Sequence, residues 1–169
     1  EQTLTPPVRK IMLTLMPPSI EDNISDVERV KRSLSEHGIK EMRFSHGFVQ
    51  SMAKALRQHN WSVYLTYTEY LEAISIISPE RVKHYGLAVD IGTTTVVVYL
   101  VDCTDGTLLD TGVTYNSQMR HGDDVITRIV HATEGGALQE LRNAVVNDIN
   151  GLLNPMMELN HISRDDIDC

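Results

Sequence analysis

Cysteine is scarce in this 169-residue chain, which carries only Cys103 and Cys169. A plant-type iron–sulfur centre needs four thiolates in a Cys-x₄-Cys-x₂-Cys…Cys arrangement, so the chain cannot build one by itself. Cys103 falls on or just after a strand and is expected to be a small packed residue. No signal peptide and no apolar run near ~18 residues is present, so nothing points to export or to a membrane, and a reducing cytoplasm is the expected setting. Aromatic residues make up 5% of the chain, and a basic stripe is missing: the net charge of −8 would repel nucleic acid. The acidity is read as a solubility feature, with steering of a partner as the alternative. Seven histidines are scattered without paired helical spacing or a neighbouring cysteine pair, which argues against a histidine-ligated metal site.

A hydrophobic fraction of 41% is ordinary for a folded core, and the length suits one domain or two small ones. A boundary is expected over residues 79–84, where Pro79 breaks an apolar run and polar residues delay the next. Before it, residues 8–78 read as a small α+β domain. Val8–Leu15 is strand-like until Met16-Pro17-Pro18. Ser25 opens a capping box with Glu28, and Val27, Val30 and Leu34 set an apolar helical stripe that ends at His37-Gly38. Phe48, Met52 and Leu56 repeat at helical spacing, and two strands follow, Trp61–Tyr67 and Leu71–Ile77. Trp61, Tyr64, Tyr67 and Tyr70 are read as core packing ahead of a partner surface.

The most informative stretch is Leu87-Ala-Val-Asp-Ile-Gly-Thr-Thr-Thr-Val-Val-Val-Tyr-Leu-Val-Asp102. Gly92 lets the backbone turn tightly and lets a phosphate approach it. The amides of Gly92, Thr93, Thr94 and Thr95, with the threonine hydroxyls, could converge on anionic oxygens. Asp90 beside a phosphate is repelled unless a divalent cation lies between them, and Mg²⁺ typically binds through one or two carboxylates, phosphates and retained waters. Asp90 therefore points to Mg-nucleotide. The bland alternative is a hairpin rich in β-branched residues, with Asp90 merely stabilising the turn.

Asp105-Gly106 then signals a hairpin turn into a third strand, Thr107–Tyr115. A polar loop over Asn116–Asp124 and two helical stretches follow, giving the order β-β-β-α-α. Asp123 or Asp124 is expected to cap the helix carrying Val125, Ile126, Ile129 and Val130. Gln118, Arg120 and His121 are candidates for contact with an anionic ligand or a second subunit. Leu138, Leu141, Val145, Ile149 and Leu152 define a long amphipathic helix that Pro155 should kink or end near Asn154.

The phosphate-type hairpin resembles the first phosphate loop of the actin, sugar-kinase and heat-shock-chaperone ATPase superfamily. Tyr85-Gly-Leu-Ala-Val-Asp-Ile-Gly-Thr-Thr-Thr-Val and Asn116-Ser-Gln-Met-Arg-His-Gly-Asp-Asp-Val-Ile-Thr-Arg-Ile129 resemble, more narrowly, the reductive activators of corrinoid proteins that serve methyltransferase systems such as O-demethylases. The resemblance implies an α/β protein in which residues 1–7 end a linker, residues 8–78 are a small α+β middle domain, and residues 85–169 begin an actin-like ATPase domain. It also implies that the chain is a piece of a longer protein, inactive alone. That parent would carry a 2Fe–2S cluster absent here and would use Mg-ATP to return cob(II)alamin on a corrinoid protein to cob(I)alamin. The site residues it implies are Asp90, Gly92, Thr93, Thr94 and Thr95 around the phosphates, with Mg²⁺ on Asp90 through water and Arg120 as a further contact. A homodimer of the parent is compatible with it. Two alternatives stay open: a sugar- or acetate-type kinase fragment, and a nucleotide-free interaction module.

Overall fold

The computed structural model describes residues 6–135 and 137–169, which form two compact units. One comprises residues through His84 together with Asp168; the other runs from Tyr85 to Ile167 and includes Cys169. Most of the linker end expected at residues 1–7 lies outside the described residues.

In the first unit, strand β1 (Val8–Thr14) is followed by helices α1 (Asp26–Glu36) and α2 (His46–Gln58), then strands β2 (Ser62–Thr68) and β3 (Ala73–Ile77). The three strands pair antiparallel in the order β1-β2-β3. Ser25 caps α1 in a full capping box with Glu28, and Ser45 caps α2 by accepting from the Phe48 N–H. The expected stripes meet the sheet: Val30, Leu34, Met52 and Leu56 are buried with Leu13, Val63 and Leu65. Each such side chain contributes roughly 1.5–3 kcal/mol on removal from water, and their clustering makes this the core of the unit. The aromatics divide. Tyr67 is buried and Trp61 packs against the core, whereas Tyr70 stands 72% exposed after the strand has ended.

A buried polar group sits at the edge of this unit. One nitrogen of His84 lies 2.8 Å from the Asp168 carboxylate and the other 3.0 Å from the Val8 carbonyl. Lys10 reaches the same carboxylate at 3.3 Å, and the Thr66 hydroxyl donates to its second oxygen. Both imidazole nitrogens therefore face acceptors, which favours the doubly protonated ring. The Asp168 hydrogen bond raises the His84 pKa above its ordinary value, against the opposing effect of burial. Burial pushes the Asp168 carboxyl up, but His84 and Lys10 together hold it below the usual carboxylate value.

In the second unit, strands β4 (Tyr85–Ile91), β5 (Thr95–Asp102) and β6 (Thr107–Tyr115) form an antiparallel sheet with β5 in the centre. A short 3-10 turn (Ser117–His121) leads to helices α3 (Val125–Ala132) and α4 (Ala137–Leu159). Period-two alternation puts Val96, Val98 and Leu100 on one face, all fully buried, and α4 covers it through Ile149, Leu152 and Met156. Gly112 makes that approach feasible, because a methyl group there would meet Met156 at 3.0 Å and Leu152 at 3.2 Å. Asp124, and not Asp123, caps α3 through the Thr127 N–H, and these contacts hold its carboxyl below the usual range.

Two expectations need correction. Of the two outcomes expected at Pro155, a kink or an end near Asn154, the end does not occur: helix α4 runs through Pro155 to Leu159. Proline in a helix interior forfeits a hydrogen bond and costs about 3 kcal/mol, but Leu153, Met156 and Met157 are all buried on that last stretch, and their burial outweighs it. Cys103 is also not simply packed into the sheet. It lies half-buried beyond β5 with its sulfur 4.0 Å from that of Cys169, whose carbonyl accepts from the Leu87 N–H on the free edge of β4. Both sulfurs rest over Gly86, where a Cβ would lie 2.8 Å from each. No helix among the described residues is long and apolar enough to cross a membrane.

The His84–Asp168 pair ties stability to pH with a definite sign. A raised imidazole stabilises the fold below its unfolded pKa of about 6.5 and loses that contribution as pH rises through the folded value. A lowered carboxyl stabilises it above about 3.9 and loses the contribution as pH falls through the folded value. Between these limits the group contributes most. Asp168→Ala should cost about 3 kcal/mol near pH 6, and the deficit should shrink toward about pH 9. Urea unfolding of both forms at the two pH values measures this, and an equal deficit at both would remove the imidazolium from the interaction.

Candidate functional site

Three residues, Gly92, Thr93 and Thr94, connect β4 to β5. The β4–β5 ladder closes at Ile91 opposite Val96, and the Gly92 N–H donates to the Thr95 carbonyl at 2.8 Å. A side chain at Gly92 would press on that carbonyl from 3.0 Å, which accounts for glycine at this position. Asp90 lies opposite Val97, and Thr95 lies two residues before Val97 on the same strand. Asp90 and Thr95 therefore project from one face of the sheet, opposite the face that α4 covers. Asp90, Thr93, Thr94 and Thr95 are all exposed, and Gly92 is half-buried.

The tip is held from behind by a residue at the end of β6. Asn116 is 1% exposed; its N–H donates to the Thr94 carbonyl and its side-chain amide to the Gly92 carbonyl, both at 2.8 Å. Its side-chain oxygen accepts from the Gln118 N–H, starting the 3-10 turn. Asp148 on α4 anchors that turn through the N–H and hydroxyl of Ser117, at 2.7 and 2.6 Å. Arg128 completes the brace. Buried on α3, it donates to the Thr93 carbonyl at 2.6 Å and to the Gly122 carbonyl at 2.9 Å. Carbonyls of all three turn residues are thus engaged from below, and the threonine side chains are left facing outward.

A cleft of about 520 Å³ opens beside the tip, lined by Ile91, Gly92 and Thr93 together with Asn116, Gln118 and residues of α3 and α4. Its walls are mostly apolar, and Arg128 and Arg142 are its cations. Gly92 and Thr93 line it; Asp90, Thr94, Thr95 and Arg120 do not. Arg120 is exposed and donates to the Ser117 carbonyl one turn back. The Gly92 N–H, counted from sequence among the converging donors, is consumed by the hairpin itself. Asn116 and Arg128 were not singled out in advance as supports of the tip. Both lie inside the second quoted motif, but only the fold brings them under a turn more than twenty residues earlier in the chain.

Two of the histidines scattered in sequence are neighbours in the fold. His121 and His131 stack with ring centroids 4.8 Å apart, because the short turn and α3 fold back on each other, and Glu140 of α4 joins them.

Comparison with known proteins accounts for almost the whole chain. Residues 1–83 match the family described as RACo linker region and residues 85–169 the family described as RACo middle region. The curated corrinoid activation enzyme RamQ of Eubacterium limosum is 39% identical over 84 residues, which is 49% of this chain and 14% of that protein. A solved structure described as a reductive activator for corrinoid, iron-sulfur protein superposes with a TM-score of 0.82 at 32% identity, over 99% of this chain and 27% of the other. This chain therefore spans well under a third of either relative's length, and across its own length it belongs to the RACo family.

Proposed function

We propose that this chain is part of an ATP-dependent reductive activase that returns a corrinoid protein from cob(II)alamin to cob(I)alamin. The observation that carries the nucleotide half of this reading is the braced hairpin tip, with Asp90 and Thr95 exposed on one face and Thr93 and Thr94 between the strands. The corrinoid half rests on family membership and on the names of the two relatives. In this reading residues 8–78 are a small α+β domain, residues 79–84 a connector, and residues 85–169 the N-terminal part of an actin-like ATPase domain.

The donor set fits Mg-ATP. Hydroxyls of Thr93, Thr94 and Thr95 are suited to phosphate oxygens, and Asp90 is suited to a hydrated Mg²⁺, since that ion keeps several of its waters. Bound there, Mg-ATP would supply a phosphate charge whose loss or release changes the energy of a conformational state. The protein's own contribution is preorganisation: Asn116 and Arg128 hold the turn so that no reorganisation is needed when the anion arrives. Donors come from one side of the phosphates only, so in this reading the chain does not turn over ATP efficiently by itself. An iron–sulfur cluster does not fit. Two cysteines cannot supply four thiolates, so the single electron that converts Co(II) to Co(I) would come from a reduced 2Fe–2S centre elsewhere in the polypeptide. ATP biases that transfer only through a difference in its interaction with two conformations of the activator.

Three outcomes test this. In the full-length protein, Asp90→Ala should weaken Mg-dependent nucleotide binding by about tenfold or more, since one charge-assisted contact is lost; calorimetric titration with Mg-ATP checks it, and unchanged affinity removes Asp90 from the site. Asn116→Ala should lower stability by about 1–3 kcal/mol, because the Gly92 carbonyl loses its buried donor, and should weaken nucleotide binding in parallel. With purified full-length protein, reductant and a corrinoid protein, the visible spectrum should report cob(I)alamin only when ATP is present. Equal cobalt reduction without ATP, or none with every component, would overturn the activase reading in favour of a small-molecule kinase.

A further inference from the structure

Away from the hairpin tip, three elements bring nitrogen and oxygen ligands together. His121 ends the 3-10 turn, His131 lies in the last turn of α3, and Glu140 lies in the first turn of α4. Their ligand atoms all fall within 4.8 Å of one another. The Nε2 of His131 is buried, has no hydrogen-bond partner among the described residues, and faces the Glu140 carboxylate at 3.6 Å. Glu134 approaches the other ring nitrogen, also at 3.6 Å. A buried ring nitrogen left without a hydrogen bond is costly, and a carboxylate just beyond hydrogen-bond range does not satisfy it.

We propose that His121, His131 and Glu140 form a binding site for a first-row divalent cation, with Zn²⁺ the best match. Two imidazoles and one carboxylate are a recurring zinc donor set, and the fourth position would be left to water. The second nitrogen of His131 would then face Glu134, the carboxylate–histidine arrangement that orients a metal-bound ring. Zinc-ligand distances of about 2.0–2.2 Å put donors roughly 3.4 Å apart, so the His131–Glu140 pair at 3.6 Å is nearly there and the widest spacing must contract by at most about 1.4 Å. The stacked rings, now 19° apart in plane, must also splay so that both lone pairs meet one ion. Glu140 is exposed and free to swing, and His121 is only half-buried. Mg²⁺ is disfavoured, because it prefers oxygen ligands. Such an ion would bind the 3-10 turn, α3 and α4 to one another, the same elements that carry Asn116's partner Gln118, Arg128 and Asp148. It would stiffen the brace beneath the hairpin tip without touching a nucleotide.

The test is calorimetric titration of metal-stripped full-length protein with ZnCl₂, together with thermal unfolding with and without zinc. Thiolates elsewhere in the polypeptide would also take zinc, so the readout is the difference between wild type and variants. Wild type should bind one equivalent more than His131→Ala, and its Tm should rise with zinc concentration as expected for a ligand of the native state. Glu140→Gln, at an exposed position that leaves folding intact, should weaken that equivalent at least about tenfold. Glu158→Gln, an exposed carboxylate at the far end of α4 and outside the cluster, should change nothing. Cobalt substitution should add a visible d–d spectrum without thiolate charge transfer, and that spectrum should be missing in His131→Ala. Identical zinc stoichiometry in wild type, His131→Ala and Glu140→Gln would overturn the proposal and leave the cluster as a stacked histidine pair flanked by carboxylates.

Discussion

The contact on which the candidate site depends is that of one buried residue, Asn116, with two carbonyls. Asn116 donates to Gly92 from its side chain and to Thr94 from its backbone, so a tight turn between two strands is held by the end of a third. Without it the three residues of the turn would keep, among the described residues, the Gly92–Thr95 hydrogen bond and the Arg128 contact. With it, the carbonyls are satisfied on the inner side, and solvent meets side chains and not backbone. A phosphate site needs that polarity, because an anion must be met by donors and kept from acceptors.

The sheet behind the tip is built to be rigid on one face and open on the other. Val96, Val98 and Leu100 lock β5 against α4, and Gly112 lets the helix sit close. On the opposite face Asp90 and Thr95 are joined by exposed Val113 and Tyr115, which pair with Val97 and Thr95 in the ladder. Burial on one side supplies the stability, so the other side is free to carry chemistry. The first unit solves the same problem more simply, with two amphipathic helices on one face of its sheet and a buried imidazole–carboxylate–ammonium group at its edge.

Much of this fold is legible in local sequence because local physics settles it. Ser25 with Glu28 announces the start of α1, and the spacing of Val27, Val30 and Leu34 announces its buried face. The run from Leu87 to Tyr115 reads as three strands because β-branched residues alternate around Gly92 and Asp105-Gly106, and the third strand has the bounds expected. Prediction failed where distant groups decided. Pro155 is a helix breaker by propensity, yet the burial of Met156 and Met157 carries the helix past it. Histidines ten positions apart show no ligand spacing, and only the return of α3 across the 3-10 turn stacks them.

By itself the sequence determined the strand–turn–strand with its isolated carboxylate and three hydroxyls, the helix caps, the shortage of thiolates and the motifs that mark the family. These depend on residues within a few positions of one another, where steric and hydrogen-bonding preferences act directly. The tertiary structure alone decided which carbonyls Asn116 and Arg128 hold, that the Gly92 N–H is spent inside the hairpin, that Asp168 returns to His84 and Lys10, and that Cys103 and Cys169 meet over Gly86. Each joins residues far apart in the chain, and such pairings are chosen by the packing of whole elements, which no short window of sequence encodes.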